Sequence, residues 1–167
     1  KELMLKYGIP CAKSRTFTSL NEAKDYVKLQ RPPIVIKADG LAAGKGVIIA
    51  RSQQEAQAAL SDMLEKRAFG AAGDRVLIEE CLSGREVSLL AFTDGNTVVP
   101  MVPACDYKRR DDNDEGPNTG GMGGYSPPGF FDETLIKQVQ KTVLEPVIAA
   151  MNREGRIYKG VLYAGLM

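Results

Sequence analysis

Two lysines and three glycines interrupt a β-branched run in IVIKADGLAAGKGVII, residues 34–49, and together they could hold an anion. Glycine tolerates positive φ angles and close backbone approach, so consecutive N–H groups can line a phosphate. Lys37 and Lys45 add positive charge from the strand and from the loop. The stretch is not a P-loop, because only three residues separate Gly40 from Gly44 and a glycine follows Lys45 where a hydroxyl residue belongs. A phosphate-binding hairpin and a flexible hairpin with solvated lysines both fit these residues.

Acidic residues mark a second candidate site further along the chain. Glu79 and Glu80 precede Cys81 and Leu82, and Glu86 opens the next β-rich run. A linker of this kind can offer backbone N–H and C=O groups to a flat heterocycle, while a carboxylate accepts hydrogen bonds from the two hydroxyls of a ribose. A sheet edge with solvated acids is the simpler interpretation when these residues are taken alone.

A third candidate is the glycine-rich stretch GPNTGGMGGYSP, residues 116–127, which favours a substrate loop. A linker would carry serine and glycine filler instead of Asn, Thr, Met and Tyr. The charged run at 108–115 favours a solvated loop, because it lacks the alternate-residue spacing of an EF-hand. Cys81 and Cys105 are not predicted to be catalytic, because the chain has no histidine to activate a thiol.

Composition narrows the class of protein. The 167 residues can bury a sizeable core, and 22 basic against 21 acidic residues leave a net charge of +1. No nucleic-acid or membrane partner is therefore expected. Three cysteines without histidine predict neither a disulfide framework nor a zinc site, so a reducing cytoplasm is the default location.

The helices and strands that position these residues are predicted from helix-capping residues and from the periodicity of apolar residues. Helices are predicted at 2–7, about 20–30 with Ser19 or Asn21 as cap, about 53–66 after a Ser52 cap, and about 133–152. Strands are predicted at 15–17, 34–38, 47–50, 76–80, 86–92, 98–102 after a turn at 94–96, and 160–167. The segment 103–130 is predicted to be irregular and functional. Strands that come in hairpins as well as after helices indicate an α+β fold.

Both ends of the chain are expected to be cut points within a longer protein. The sequence opens inside a predicted helix and closes on the apolar run GVLYAGLM, which is typical of a buried strand. Natural termini more often lie loose at the surface.

Four stretches, IVIKADGLAAGKGVII, VLIEECLSGREVS, GPNTGGMGGYSP and YKGVLYAGLM, occur in the order and spacing of the phosphoribosylamine–glycine ligase family. The chain resembles this family over its whole length. The resemblance implies an ATP-grasp fold, with residues 1–82 as the small subdomain, residues 83–167 as part of the second, and ATP between them. It also implies ligation of glycine to 5-phosphoribosylamine in purine biosynthesis, with ATP and Mg²⁺ or Mn²⁺, through a glycyl phosphate intermediate.

The resemblance also implies roles for individual residues. The phosphates of ATP would contact Lys37, Gly44, Lys45 and Gly46, the adenine would contact Glu79, Glu80, Cys81 and Leu82, and the ribose would contact Glu86. The substrates would contact Asp106, Lys108, Asn118, Thr119, Gly120, Gly121 and Met122. No enzyme nucleophile is expected, because phosphoryl transfer depends mainly on positioning and charge neutralisation.

Two departures from the family limit these expectations. Tyr107 stands where the family usually has histidine, and the family's metal ligands, a glutamate and an asparagine, would come just after Met167. The flanking domains would also lie outside this chain, so we expect it to bind nucleotide weakly and to make no product by itself. The alternatives are another ATP-grasp carboxylate–amine ligase, a non-catalytic nucleotide-binding module, and a partly ordered remnant whose last strand is an aggregation-prone edge.

Overall fold

The computed structural model describes residues 1–40, 42 and 46–167, and the chain divides into two compact units. The first unit is Ala12–Leu82, and the second combines Lys1–Cys11 with Ser83–Met167. The sequence analysis grouped residues 1–11 with the first unit. In the structure, helix α1 (Glu2–Lys6) belongs to the second unit, where Lys6 Nζ and Tyr7 Oη donate to the Glu154 carboxylate at 2.6 and 2.7 Å.

The first unit is a four-stranded antiparallel sheet with helices on one face. Its elements are β1 (Ser14–Phe17), α2 (Leu20–Lys28), β2 (Ile34–Ala38), β3 (Val47–Ala50), α3 (Gln53–Leu60) and β4 (Val76–Glu80). The strand order is β1-β4-β2-β3. A π-helical turn, Ser61–Glu65, extends α3 and accounts for the longer helix predicted there. The predicted strands on either side of residues 39–46 are confirmed as the antiparallel pair β2 and β3.

Strand alternation decides which side chains fill the core of this unit. Ile34, Ile36 and Ile78 are buried together with Leu60 and Met63 from the helical segment. Burying each of these side chains contributes about 1.5–3 kcal/mol relative to leaving it exposed. The residues between them in the strands point to the opposite face of the sheet.

Helix α3 begins with the Ser52 cap that the sequence predicted, and a reciprocal bond from Glu55 adds to it. The Glu55 N–H donates to Ser52 Oγ at 3.1 Å, and the Arg51 N–H donates to Glu55 Oε2 at 2.7 Å. At α2 the corresponding bond from the Glu22 N–H to Ser19 Oγ is longer, at 3.5 Å.

We expect Ser52→Ala to lower the free energy of unfolding by about 1 kcal/mol, because it removes the acceptor for an orphan helix N–H. Ser19→Ala should cost less, because its bond is at the limit of hydrogen-bond length. Urea unfolding of both variants measures the difference. An equal or larger loss for Ser19→Ala would contradict this assignment of the caps.

The second unit is built around a three-stranded antiparallel sheet of order β11-β5-β6. Its further elements are β5 (Val87–Thr93), β6 (Val98–Pro100), β7 (Cys105–Asp106), β8 (Arg109–Asp111), β9 (Glu115–Asn118), β10 (Gly124–Tyr125), α4 (Glu133–Val139), α5 (Glu145–Arg153) and β11 (Gly160–Leu166). A π-helical turn, Gln140–Leu144, joins α4 to α5 and makes the single long helix that was predicted. Leu144 and Ile148 from this helix pack on Leu89 and Ala91 of β5.

The predicted turn between β5 and β6 is confirmed and is held by one carboxylate. Asp94 accepts hydrogen bonds from the N–H groups of Asn96 at 2.9 Å and Thr97 at 2.7 Å. Both hydrogen bonds lower the pKa of Asp94 below its ordinary value, and the bond from Thr97 has the larger effect. The turn therefore loses this support as the pH falls through the lowered pKa.

Two expectations about the second unit were wrong. The segment 103–130 is not irregular throughout, because β7 pairs with β10 and β8 pairs with β9. The last strand is not fully buried, since Tyr163 is 75% exposed while its neighbour Ala164 is buried. Among the described residues, no helix has both the length and the apolar character needed to cross a bilayer.

Candidate functional site

The alternation that buries Ile34 and Ile36 places Lys37 on the other face of the first unit's sheet. Val47 lies opposite Lys37 in β3, and Ile49 lies opposite Val35. Val47 and Ile49 are exposed although they are apolar. We call this surface the Lys37 face, formed by Val35, Lys37, Val47, Ile49, Leu77 and Glu79. A cation among exposed apolar side chains suits a ligand that carries both a flat ring and anionic groups.

Lys37 is held by an ion pair with a buried carboxylate. Its Nζ lies 2.5 Å from Glu79 Oε2, and the Glu79 side chain is only 4% exposed while that of Lys37 is 37% exposed. A buried carboxylate needs a partner, because desolvation disfavours its charge. The pair therefore fixes the ammonium group of Lys37 at the surface of the sheet, where an incoming anion can reach it.

The ends of the glycine-rich loop are closely packed. A Cβ on Gly46 would lie 2.7 Å from the Ala42 Cβ, and one on Gly40 would lie 2.8 Å from the Ala72 Cα. The Ala38 N–H donates to the Gly46 carbonyl at 2.8 Å, which closes the base of the loop. Both positions therefore require glycine for packing. Gly44 and Lys45 lie outside the described residues, so their phosphate-binding roles stay predictions.

The predicted adenine linker, residues 79–82, begins inside a strand, as the predicted strand at 76–80 implies. Glu79 and Glu80 lie inside β4, and only Cys81 and Leu82 follow the strand. Glu80 is committed to the first unit's own structure, because its Oε1 accepts the Lys13 N–H at 2.7 Å. Local sequence patterns do not indicate this contact, because Lys13 and Glu80 are 67 residues apart along the chain.

A cavity of about 390 Å³ adjoins the same end of β4. Tyr26, Ile34, Ile78 and Glu80 are among its lining residues, and Ile34 and Ile78 belong to the helix-covered face of the sheet. Lys37 and the exposed Val47 lie on the opposite face. Glu79 and Cys81 also line the cavity, but the cation that could bind a phosphate, Lys37, lies on the Lys37 face, so we take that face as the candidate anion surface.

In the second unit, three predicted site residues lie close together, and we call Glu86, Asp106 and Lys108 the Lys108 cluster. Lys108 Nζ is hydrogen-bonded to Asp106 Oδ2. This hydrogen bond is the largest cause of the raised pKa of Lys108. The negative charges of Asp106 and, to a smaller extent, Glu86 raise the pKa further, while desolvation lowers it. Glu86, predicted to bind ribose, therefore lies within electrostatic reach of two predicted substrate residues.

The predicted substrate loop is anchored to the backbone of residues 107 and 108, between β7 and β8. The Thr119 N–H and hydroxyl both donate to the Lys108 carbonyl, at 2.6 and 3.0 Å, and the Gly121 N–H donates to Thr119 Oγ1 at 3.1 Å. The Met122 N–H donates to the Tyr107 carbonyl at 2.7 Å. Thr119 thus has a structural task that the sequence did not indicate.

Other residues of the loop are more open. Met122 is exposed, and a Cβ on Gly120 or Gly121 would meet no atom within 4 Å. Gly121 nevertheless has a φ of +118°, a conformation that favours glycine. Asn118 pairs with Arg109 in the β8–β9 hairpin. The open glycines leave the backbone of the loop accessible to a small ligand.

A second cavity, of about 470 Å³, lies beside the Lys108 cluster. Its lining includes Asp106, Ser88, Cys105 and Tyr125. The ring of Tyr125 also packs against Tyr107, with the ring centroids 5.4 Å apart. Of these four residues, only Asp106 was predicted as a site residue, although Tyr125 stands within the stretch GPNTGGMGGYSP that pointed to the loop.

A metal site does not follow from the described part of the chain. Within residues 1–40, 42 and 46–167, no group of three or more His, Cys, Asp or Glu side chains could hold an ion. The described residues do not fit a magnesium or manganese centre.

Comparisons with known proteins agree with these features. The phosphoribosylamine–glycine ligases of Halalkalibacterium halodurans and Nostoc are 54% and 52% identical to this chain over 167 residues, which is all of the chain and 39% of each relative. The crystal structure of the Thermotoga maritima phosphoribosylamine–glycine ligase superposes with a TM-score of 0.92 at 37% identity, over 99% of this chain and 42% of that one.

The chain thus spans about two fifths of the length of the relatives it matches. The predicted α+β ATP-grasp fold and the predicted family resemblance are both confirmed. All of residues 1–167 match one family description, so the chain belongs to the phosphoribosylglycinamide synthetase, ATP-grasp (A) domain family.

Proposed function

We propose that the protein carrying this chain joins glycine to 5-phosphoribosylamine with ATP, giving glycinamide ribonucleotide, ADP and phosphate. The observation that carries the proposal is the match of all 167 residues to phosphoribosylamine–glycine ligases at more than 50% identity. The match includes the substrate loop as well as the glycine-rich hairpin. The domains that complete the relatives are needed for turnover in this proposal.

Residues of the first unit have the chemistry to hold ATP. Lys37 offers a half-exposed ammonium group beside the exposed apolar side chains of Val47 and Ile49. Lys45, Gly44 and Gly46 add a second cation and backbone donors for the phosphates. The backbone groups of Cys81 and Leu82 contact the adenine in this proposal, because the Glu80 N–H already donates to the Lys13 carbonyl at 3.0 Å. Glu86, from the second unit, accepts the ribose hydroxyls.

Residues of the second unit have the chemistry to orient the substrates. Lys108 can bind a carboxylate or phosphate oxygen, and Asp106 can bind an ammonium group. The backbone of the 118–122 loop can donate to a small anion such as glycine's carboxylate. The open cavity next to Asp106 supports placing a substrate there.

The reaction needs no nucleophile from the protein. A glycine carboxylate oxygen bonds to the γ-phosphorus while the bond to the β–γ bridging oxygen breaks and ADP leaves. The ribosylamine nitrogen then bonds to the acyl carbon, the acyl C–O bond breaks, phosphate leaves, and the nitrogen releases a proton. Lys37 and Lys45 stabilise the charge that spreads over the phosphate oxygens. Magnesium or manganese would accompany ATP, with ligands outside the described residues.

The test uses the complete product of the gene that encodes this chain. With ATP, Mg²⁺, glycine and 5-phosphoribosylamine, we expect ADP release that depends on both glycine and the amine, and a product of the mass of glycinamide ribonucleotide. Alanine and β-alanine in place of glycine serve as controls. ADP release stimulated by another acid would favour a different carboxylate–amine ligase, and nucleotide binding without any turnover would favour a binding module.

A further inference from the structure

Glu86 immediately precedes β5 but takes no part in the pairing of β5 with β11. The pairing of β11 with β5 ends at Val87, one residue after Glu86. The Glu86 side chain is exposed, so its carboxylate is accessible, but the ladder does not fix its backbone. A residue that must meet a ribose at a defined position needs other contacts to hold it.

Two such contacts converge on residues 85 and 86. The Cys105 thiol donates to the Glu86 carbonyl with a sulfur–oxygen distance of 3.1 Å. The Arg85 guanidinium lies over the ring of Phe130, 4.0 Å from its centroid. Cation–aromatic contacts of this length are attractive even at exposed sites. The backbone and the side chain of this dipeptide are thus tied to two different segments of the second unit.

Cys105 is itself held in place from both sides. Its neighbour Ala104 exchanges two hydrogen bonds with Ser88, at 2.8 and 3.0 Å, which joins β7 to the start of β5. Tyr125 lies opposite Cys105 in the β7–β10 pair. The neighbouring Cys105 side chain raises the pKa of Tyr125. The thiol therefore lies in a row of residues that runs from Tyr125, at the end of the predicted substrate loop, to Glu86.

We propose that Cys105 and the Arg85–Phe130 contact are positioning groups that hold the Glu86 carboxylate where it meets the ribose of the nucleotide. The inference rests on the proposed function and deepens it. Burial in the apolar cluster explains why residue 105 is small and apolar. It does not explain why the thiol points at a carbonyl one residue outside the ladder. The same row links Glu86 to Tyr125, and hence the predicted ribose contact to the predicted substrate loop.

The experiment compares ATP with 2′-deoxy-ATP, because only the first offers Glu86 a 2′-hydroxyl. In the complete gene product we expect kcat/KM to favour ATP by about tenfold or more, the value of a hydrogen bond to a charged group. Glu86→Gln shows how far the preference falls when the carboxylate is removed. Cys105→Ala and Arg85→Gln should each reduce the preference by at least about threefold, because small displacements weaken such contacts.

Two variants separate positioning from folding. Cys105→Ser keeps a donor for the Glu86 carbonyl and should keep the preference within about twofold of the starting protein. Cys11→Ala removes a half-buried thiol elsewhere in the same unit and should change nothing. A purely structural role would lower the melting temperature and kcat for both nucleotides alike, leaving their ratio unchanged. If Cys105→Ala does not fold, Arg85→Gln carries the test, because Arg85 is exposed.

An unchanged ATP preference in Arg85→Gln and in the folded Cys105 variant overturns the inference, as does a starting protein that does not distinguish the two nucleotides. Both results leave the proposed ligase activity intact. Absence of glycine-dependent turnover in the starting protein refutes the proposed function instead. In that case the ratio of the Kd values for ADP and 2′-deoxy-ADP, measured by calorimetry, decides the positioning question in the same variants.

Discussion

Lys37→Met is expected to lower kcat/KM for ATP by about 100-fold or more in the complete gene product. Among the residues that the structure describes, Lys37 is the cation on the Lys37 face. Its ammonium group is held by Glu79, with Nζ 2.5 Å from Oε2. Removing one preorganised donor to charge that develops in the transition state typically costs about 10²–10³ in rate. Steady-state ADP formation at varied ATP concentration measures the effect.

The same substitution also removes the cation from a nearly buried carboxylate. We expect a loss of about 1–3 kcal/mol in the free energy of unfolding, less than for a fully buried pair, because Lys37 is partly solvated. Lys37→Met combined with Glu79→Gln should recover much of that stability without recovering turnover. The pair of variants separates the catalytic effect from the structural one.

The matched control is Lys28→Met, which removes a lysine of the first unit that pairs with Asp25 on the surface of α2. It should leave kcat/KM within about twofold and stability within about 0.5 kcal/mol. If Lys37→Met turns over ATP as the control does, the Lys37 face is not the nucleotide surface.

Leu60→Ala is expected to have the largest effect on stability, about 2–5 kcal/mol. Leu60 is fully buried at the end of α3, in one cluster with Ile36, Met63 and Ile78. Truncation removes buried methyl groups and leaves a cavity that close-packed neighbours fill only in part. Hydrogen exchange of the Ile36 and Ile78 amides, which lie in the central strands β2 and β4, reports the loss directly.

The control for this prediction is Leu29→Ala, just past the end of α2. Leu29 is 81% exposed, so its removal should change the free energy of opening by no more than about 0.5 kcal/mol. Equal exchange rates in the two variants would show that the cluster around Leu60 is not the core of the first unit.

Local patterns in the sequence were sufficient to predict most of the elements. The β-branched runs at 34–38 and 47–50 predicted the hairpin, and Ser52 predicted the start of α3. These features depend on residues close together in the chain, where alternation and capping act. The positions of Lys37 and the loop glycines relative to the strands followed from the same patterns.

Contacts between distant segments could not be predicted in this way. The ion pair of Lys37 with Glu79 requires β4 to lie next to β2, which no local pattern of either strand specifies. The bond from Cys105 to Glu86 likewise depends on the pairing of Ser88 with Ala104. The short strands within 103–130 were missed because glycine, proline and charged residues hide the alternation on which strand prediction depends.

The exposed face of the last strand was misjudged for a related reason. GVLYAGLM is apolar on both faces, and a run of this kind predicts burial on both sides. In the structure only one face of β11 packs into the core, where Ala164, Leu162 and Leu166 meet β5 and the long helix. Composition alone does not say which face of an apolar strand is covered.

The most direct test of the whole account is the affinity of the complete gene product for ATP after both loop-associated lysines are replaced. We predict that Lys37→Ala combined with Lys45→Ala weakens ATP binding by about tenfold or more, measured by calorimetry, because the triphosphate loses two charge-assisted contacts. Wild-type affinity and turnover in the double variant would contradict the claim that this hairpin binds the phosphates.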